Sequence, residues 1–441
     1  MFGYNLRLAL KSLRRTPGVA ALMIGAIGLG VGVCVTTLTV WRVMSGNPIA
    51  HKNDVLYAVT LDNWDPTKPI YEESPELPPN QVTYRDAMAM YESDIPTRKV
   101  AMRRGMFVVD PAGTGADAMK PFQIVSRFTN TDFFPMFDVP FQYGSAWDDA
   151  ADEDAEPVVV LSKRANGKLF GGQDSVGRTV QLDGRDYKIV GVLNEWEPVP
   201  KYYDLTTGAF EDTEDIFLPF SVGVQLKTQS SGNTRCWRNQ TLNTFDEFLQ
   251  SDCVWIQYWV ELPDWDRVEQ FQSFIDNYVR EQQKLGRFER PLNNHLTKPD
   301  EWLRINEVVR NDNRVLVGLS FMFLAVCLLN MIGLLLAKFL GSAPIVGLRR
   351  ALGASRSEIF NQYLVEVSVI GIGGGLVGIA IAALGLFAIR NLHDNYDSLT
   401  RLDVPMGMLS LAIAVVSGLV AGLYPTWRIC RTQPATYLKT Q

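Results

Sequence analysis

The chain has 441 residues, 47% hydrophobic and 20% charged, enough for more than one compact unit. Its formal charge of −6 hides a split, because residues 42–312 hold 28 Lys+Arg against 43 Asp+Glu, a net −15. An acidic central portion offers nucleic acid no surface, and three scattered histidines (His51, His295, His393) with five cysteines exclude a cysteine–histidine metal site.

Four apolar stretches, 19–41, 315–337, 363–389 and 405–427, each reach the roughly 20 helical residues that cross a hydrocarbon core. A spanning segment must satisfy its own backbone hydrogen bonds, so each is predicted to be a helix. Their one-plus-three spacing excludes a soluble enzyme. The predicted fold class is membrane α-helical, with four transmembrane helices in 1+3 arrangement plus a large extracytoplasmic α+β domain.

Residues 1–18 place Phe2, Leu6, Leu10 and Leu13 at helical spacing, opposite Arg7, Lys11 and Arg14. This is a basic amphipathic helix suited to lie along membrane lipid at the inner leaflet. The first span has an apolar run of about 23 residues, longer than a signal-peptide core, and no A-x-A pattern follows, so we read an uncleaved anchor. Basic residues set orientation. Eleven of them (Arg7, Lys11, Arg14, Arg15, Lys338, Arg349, Arg350, Arg356, Arg428, Arg431, Lys439) flank the spans on one side, against the single acid Glu358. The loop 390–404 on the other side has Asp394, Asp397 and Asp403 against Arg401. Both termini are expected in the cytoplasm, with the 42–312 domain outside.

Within that domain, 55–61 and 99–109 read as strands with a helix over 81–92 between them. A strand over 122–127 and a short helix over 130–136 follow. The run PVVVL at 157–161 reads as a buried strand, and Ser162 as the cap of a helix to 170. Asp183-Gly184 between 179–182 and 187–193 signals a hairpin. Further strands are read at 216–219 and 254–262. The polar stretch 225–253 between them reads as an inserted subdomain. It holds Cys236 and Cys253, which either pair as a disulfide, worth about 3 kcal/mol in the chain-entropy model, or stay reduced. Residues 264–285 form an amphipathic helix with Val268, Phe271, Phe274, Ile275 and Tyr278 on one face. The stretch EWLRINEVVRNDNR, 301–314, has no proline or glycine and reads as a rigid helical stalk continuing into the second span.

Catalytic motifs are absent. GGQDSVGRT at 171–179 departs from GxxxxGK[ST] by having Arg178 in place of the lysine, and a hairpin follows it, so it reads as a turn entering a strand. The run Asp148, Asp149, Asp152, Glu153, Asp154, Glu156 reads as a solvated acidic loop. In the spans, Gly28/Gly32, Gly371/Gly375, Gly374/Gly378 and Gly418/Gly422 repeat the GxxxG spacing that lets helices approach closely. Asn330 and Glu366 are the strongly polar residues there, too few for an ion pathway. The inner loop, 338–362, contains VGLRRALGASRSEI, which reads as a short helix, a Gly-Ala break and a helix capped by Ser355. It serves either as a handle for a cytoplasmic partner or as a loop docked on lipid headgroups.

Four segments carry a resemblance: GLRRALGASRSEIFNQYLVE (347–366), GLVAGLYPTWRICRTQPATYL (418–438), LFGGQDSVGRTVQLDGRDYKIVGVL (169–193) and SRFTNTDFFPMF (126–137). In these, and in its span layout, the chain resembles the FtsX-like, MacB-type permeases of type VII ABC systems, with a MacB-like periplasmic core domain. The resemblance implies a non-catalytic permease subunit in the bacterial inner membrane. It implies that a separate ABC ATPase dimer carries ATP and Mg, while this chain holds no cofactor. Gly347, Leu348, Arg349, Arg350, Ala351, Leu352 and Gly353 are then the expected ATPase contact, and the tail 428–441 is cytoplasmic. Further implied partners are a second permease copy or paralogue, a periplasmic adaptor and an outer-membrane duct. The alternatives within the resemblance are a regulator of a periplasmic cell-wall hydrolase and a lipoprotein-release permease. MacB itself carries a fused ATPase, which this sequence does not contain, and Ile345 stands where the family often has an acid.

Overall fold

The computed structural model describes residues 2–111, 120–228, 231–308, 311–392 and 404–431. The chain divides into two compact units, Gly46–Val308 and Met1–Ser45 with Val309–Gln441.

Gly46–Val308 is built on one mixed sheet. Its strands are β1 (Leu56–Thr60), β2 (Arg98–Asp110), β3 (Phe122–Thr129), β4 (Phe141–Gly144), β5 (Val158–Leu161), β6 (Thr179–Leu182), β7 (Arg185–Leu193), β8 (Ile216–Pro219), β9 (Gln257–Glu261) and β10 (His295–Thr297). They run in the order β10-β1-β9-β2-β3-β8-β5-β7-β4, with β6 paired to β2 and β7. The β3–β8 and β5–β7 pairs are parallel and the others antiparallel. Side chains alternate between two cores: Leu56 and Ala58 enter one, Tyr57 and Val59 the other. Because both faces are covered, β5 reads VVVL, an unbroken apolar run. Asp183 and Gly184 both take positive φ (+47° and +75°), as a two-residue hairpin turn requires. Asp183 also accepts from the Val108 amide at 2.8 Å.

Helices close both faces. Thr83 caps Tyr84–Tyr91, Ser162 caps Lys163–Phe170 and Asp264 caps Trp265–Lys284, each accepting from the third amide onward. The last of these buries Val268, Phe271, Ile275 and Val279. The GGQDSVGRT loop folds back on the Lys163–Phe170 helix. Asn166 donates to the Gln173 carbonyl at 2.9 Å and Ser175 donates to Asn166 at 2.7 Å.

Charge also lies inside this unit. The side chains of Arg127, Lys201, Asp204 and Glu214 are fully buried together, with Arg127 paired to Asp204 at 2.7 Å and to Glu214. Desolvation alone raises the Glu214 carboxyl, but Arg127 and Lys201 overcome it and hold it at about 2.

Three expectations change. The acidic run is not wholly solvated, because Asp149–Glu153 is a short helix and Asp152 is buried, accepting from the Thr131 amide and the Trp147 indole. Stretch 225–253 does not stand apart as a subdomain. Leu249 and Cys253 lie in the main core, Phe245 and Phe248 pack on it, and Cys236 is disulfide-bonded to Cys253. The stalk is not one helix. Pro299–Ile305 stops in a Schellman motif: the Val308 and Glu307 amides donate back to Leu303 and Arg304, with Glu307 at φ +47°. Trp302 and Leu303 anchor that helix in the core. A separate helix starts at Asn311.

Among the described residues, the other unit holds four helices long and apolar enough to cross a membrane: Pro17–Ser45, Asn311–Gly341, Arg356–Leu392 and Val404–Cys430. The amphipathic helix Phe2–Arg15 precedes them. Most of the loop 390–404 and of the tail 428–441 lies outside the described residues.

Candidate functional site

Glycine sets how closely these spans approach. A Cβ added to Gly28 or Gly32 would stand 2.6 Å from Val377 or 2.7 Å from Ile381 of the third span. Reciprocally, Gly374 faces Ile27 at 2.6 Å and Gly378 faces the Gly28 carbonyl at 3.2 Å. On the opposite side of the same span, Gly371 and Gly375 meet Val415 and Leu411, while Gly418 and Gly422 meet Gly371 and Val367. All eight glycines singled out by spacing therefore lie in two interfaces of the third span, which locks it between the first and the fourth.

The second and third spans are joined by a compact elbow. Ala343–Ala351 is a short helix with Pro344 in its first turn, where a missing amide costs nothing. It ends at Gly353, whose φ of +100° closes a second Schellman motif: the Gly353 and Ala354 amides donate to the Arg350 and Arg349 carbonyls. The next helix opens with a capping box. The Glu358 amide donates to Ser355 Oγ at 3.2 Å, and the Ser355 amide donates to Glu358 Oε2 at 2.9 Å.

This elbow has two faces. Ala343, Val346 and Gly347 are buried. Leu348 is 54% exposed and Leu352 79%, with Ala351, Gly353 and Ile345 also exposed. Arg349 and Arg350 are half-buried and turned inward. Arg349 donates to Gln362 Oε1 at 2.6 Å, and Arg350 donates to the Cys430 carbonyl at 3.4 Å. Leu348 and Leu352 thus offer a partner apolar side chains beside the exposed Arg356 and Glu358, while Arg349 and Arg350 brace the elbow on the third and fourth spans. A groove of about 590 Å³ runs beside Leu352, lined also by Tyr4, Asn5, Glu358 and Asn361.

One charge arrangement was not anticipated. Glu366, buried at 1% exposure in the third span, pairs with Lys338 and accepts from Ser12 of the amphipathic helix at 2.8 Å. Its signal was an ionisable side chain inside an apolar span, which demands a partner. Among the described residues no cluster of three or more His, Cys, Asp or Glu gathers as a metal site.

Comparison with known proteins places this architecture. The MacB-like periplasmic core domain family matches residues 20–278, more than half the chain, and the FtsX-like permease C-terminal family matches residues 317–434. The pyoverdine export ATP-binding/permease protein PvdT of Pseudomonas syringae pv. syringae (strain B728a) is 24% identical over 313 residues, covering 71% of this chain and 42% of the relative. The macrolide export ATP-binding/permease protein MacB of Azoarcus sp. (strain BH72) is 25% identical over 286 residues, covering 64% and 38%. The chain thus spans less than half the length of these curated relatives. The crystal structure of the periplasmic region of MacB from Actinobacillus actinomycetemcomitans aligns at 10% identity with a TM-score of 0.36, over 61% of this chain and 95% of that one.

Proposed function

Because the chain belongs to the family of ABC transporter permeases with a MacB-like periplasmic core domain and an FtsX-like C-terminal region, we propose that it transmits ATP-driven motion outward. The motor is a separate ABC ATPase dimer on the cytoplasmic side, holding ATP and Mg. The permease sits in the inner membrane with both termini in the cytoplasm, and its periplasmic domain delivers the work to export. The export and ATP-binding functions in the names of PvdT and MacB support a link between this permease, ATP binding and export, and the placing of the ATPase on a separate chain is part of the proposal.

The observation that carries it is the elbow. A rigid, doubly capped turn presents Leu348 and Leu352 outward and is braced by Arg349 and Arg350 on two spans. A partner that seizes those leucines therefore moves the spans rather than a loose loop. A second permease copy or paralogue would lie along the second span, where Leu319, Met322, Val326 and Leu329 form an exposed row. A periplasmic adaptor and an outer-membrane duct complete the proposed assembly.

The test is affinity purification of the tagged, full chain from its native host. The wild type should recover an ABC ATPase. The variant Leu348→Glu with Leu352→Glu should lose it while keeping its melting temperature, since both side chains are exposed. Undiminished recovery by the folded variant would show that the elbow is not the handle.

A further inference from the structure

A cavity of about 670 Å³ lies within the membrane unit, on the inner side of the elbow. Four cations line it: Lys11 and Arg15 from the amphipathic helix, Lys338 from the end of the second span, and Arg349 from the elbow. No carboxylate among the described residues lines it. Lys338 is neutralised by Glu366, but Lys11, Arg15 and Arg349 have no carboxylate partner among the described residues. Lys11 and Arg15 are exposed and Arg349 is half-buried, so water screens part of their mutual repulsion and an anion among the three relieves the rest.

The remaining lining narrows the anion. Thr16 adds a hydroxyl whose Oγ1 is buried without a partner, while the Ser12 hydroxyl is already donated to Glu366. The other wall is apolar, with Leu8, Val19 and Leu334. A phosphate alone would satisfy the cations and leave this wall unused. A phosphodiester carrying acyl chains uses both, and guanidinium groups match phosphate oxygens in pairs. Basic pockets between membrane helices are suited to anionic headgroups in this way.

We propose that this cavity binds the headgroup of an anionic membrane phospholipid, which seats the amphipathic helix against the elbow. The lipid is then a structural ligand, tying Lys11 and Arg15 to Arg349 across the cavity. The inference rests on the chain spanning a membrane and not on the ATPase, so loss of the proposed motor would leave it standing.

Lipid binding to the purified full chain is read by native mass spectrometry and by thermal unfolding in detergent. The additions are phosphatidylglycerol, phosphatidylcholine of the same acyl chains, and soluble glycerol phosphate. Phosphatidylglycerol should bind and raise the melting temperature, while the other two should do neither at equal concentration. The variant Lys11→Gln with Arg15→Gln should bind phosphatidylglycerol roughly 30-fold more weakly, as expected for two lost cations. Its melting temperature in phosphatidylcholine should equal that of the wild type. If this variant does not fold, Arg349→Gln carries the same expectation at roughly fivefold. Equal binding of both lipids overturns the proposal, as does phosphatidylglycerol binding that neither substitution weakens. Equal stabilisation by glycerol phosphate overturns the lipid in favour of a free phosphate.

Discussion

Glu214 and Asp152 are both buried carboxylates of the periplasmic domain, and their protonation pulls its stability in opposite directions. Glu214 ionises at about 2 in the fold against an ordinary value of 4.5, so its contribution is complete above 4.5 and is lost as pH falls towards 2. Replacing it with Gln leaves Arg127 short of a counter-charge, at a cost of about 3 kcal/mol or more at neutral pH. The melting-temperature gap between wild type and Glu214→Gln should therefore be wide at pH 7 and shrink towards pH 3. Asp152 is raised by burial to about 7 against 3.8, even though it accepts two hydrogen bonds. The folded state holds its proton where the unfolded state does not, so stability falls as pH rises from about 4 through 7. Relative to wild type, Asp152→Asn should gain more at pH 8 than at pH 5, whatever its constant offset. A flat difference profile in either variant would contradict the assigned shift. Neither role was legible in the sequence. Asp152 sits in a run of acids that reads as solvent-facing, and only the fold brings Thr131 and Trp147 over it. Glu214 meets Arg127 across 87 residues of chain.

At the scale of elements, local signals decided what the sequence disclosed. Caps at Ser162 and Ser355, and the Asp183-Gly184 turn, act within four residues and were read correctly from the chain alone, whereas the caps Thr83 and Asp264 fall inside the helices expected there. The stalk failed because its stop is non-local in origin. The stretch 301–314 has no breaker, yet burial of Trp302 and Leu303 anchors the short helix Pro299–Ile305, and Glu307 after it takes a left-handed conformation usually left to glycine. Short strands β4 and β10 were missed because they exist only as partners of β7 and β1. The glycine spacing named the right residues and not their neighbours. That distinction is measurable. Gly28→Val forces a side chain into Val377 and should destabilise the unit by roughly 1–3 kcal/mol. Gly25→Val in the same helix has no foreign heavy atom within 4 Å of its new Cβ and should be nearly neutral. Equal melting temperatures for the two would mean that the first and third spans do not approach as described.

For the molecule as a whole, the chain crosses between its two units at Ser45–Gly46 and at Val308–Val309. The motion transmission proposed above needs rigid elements joined at few points. The glycine-locked third span, the braced elbow and the disulfide-closed periplasmic core supply such elements. The 1+3 span layout, the periplasmic domain and the position of the elbow were all visible in hydropathy and charge. The faces of the elbow were not, because arginine in a basic loop reads as outward until the carbonyl of Cys430 and the amide of Gln362 are brought beneath it. The central claim is that a grip on the cytoplasmic elbow displaces the periplasmic domain. Its most direct test is pulsed electron resonance on the assembled permease–ATPase complex, with spin labels replacing exposed Trp265 in both permease copies. On adding a non-hydrolysable ATP analogue, the interlabel distance distribution should shift, and Leu348→Glu with Leu352→Glu should abolish the shift. An unchanged distribution in a complex shown to have bound the analogue would contradict the account.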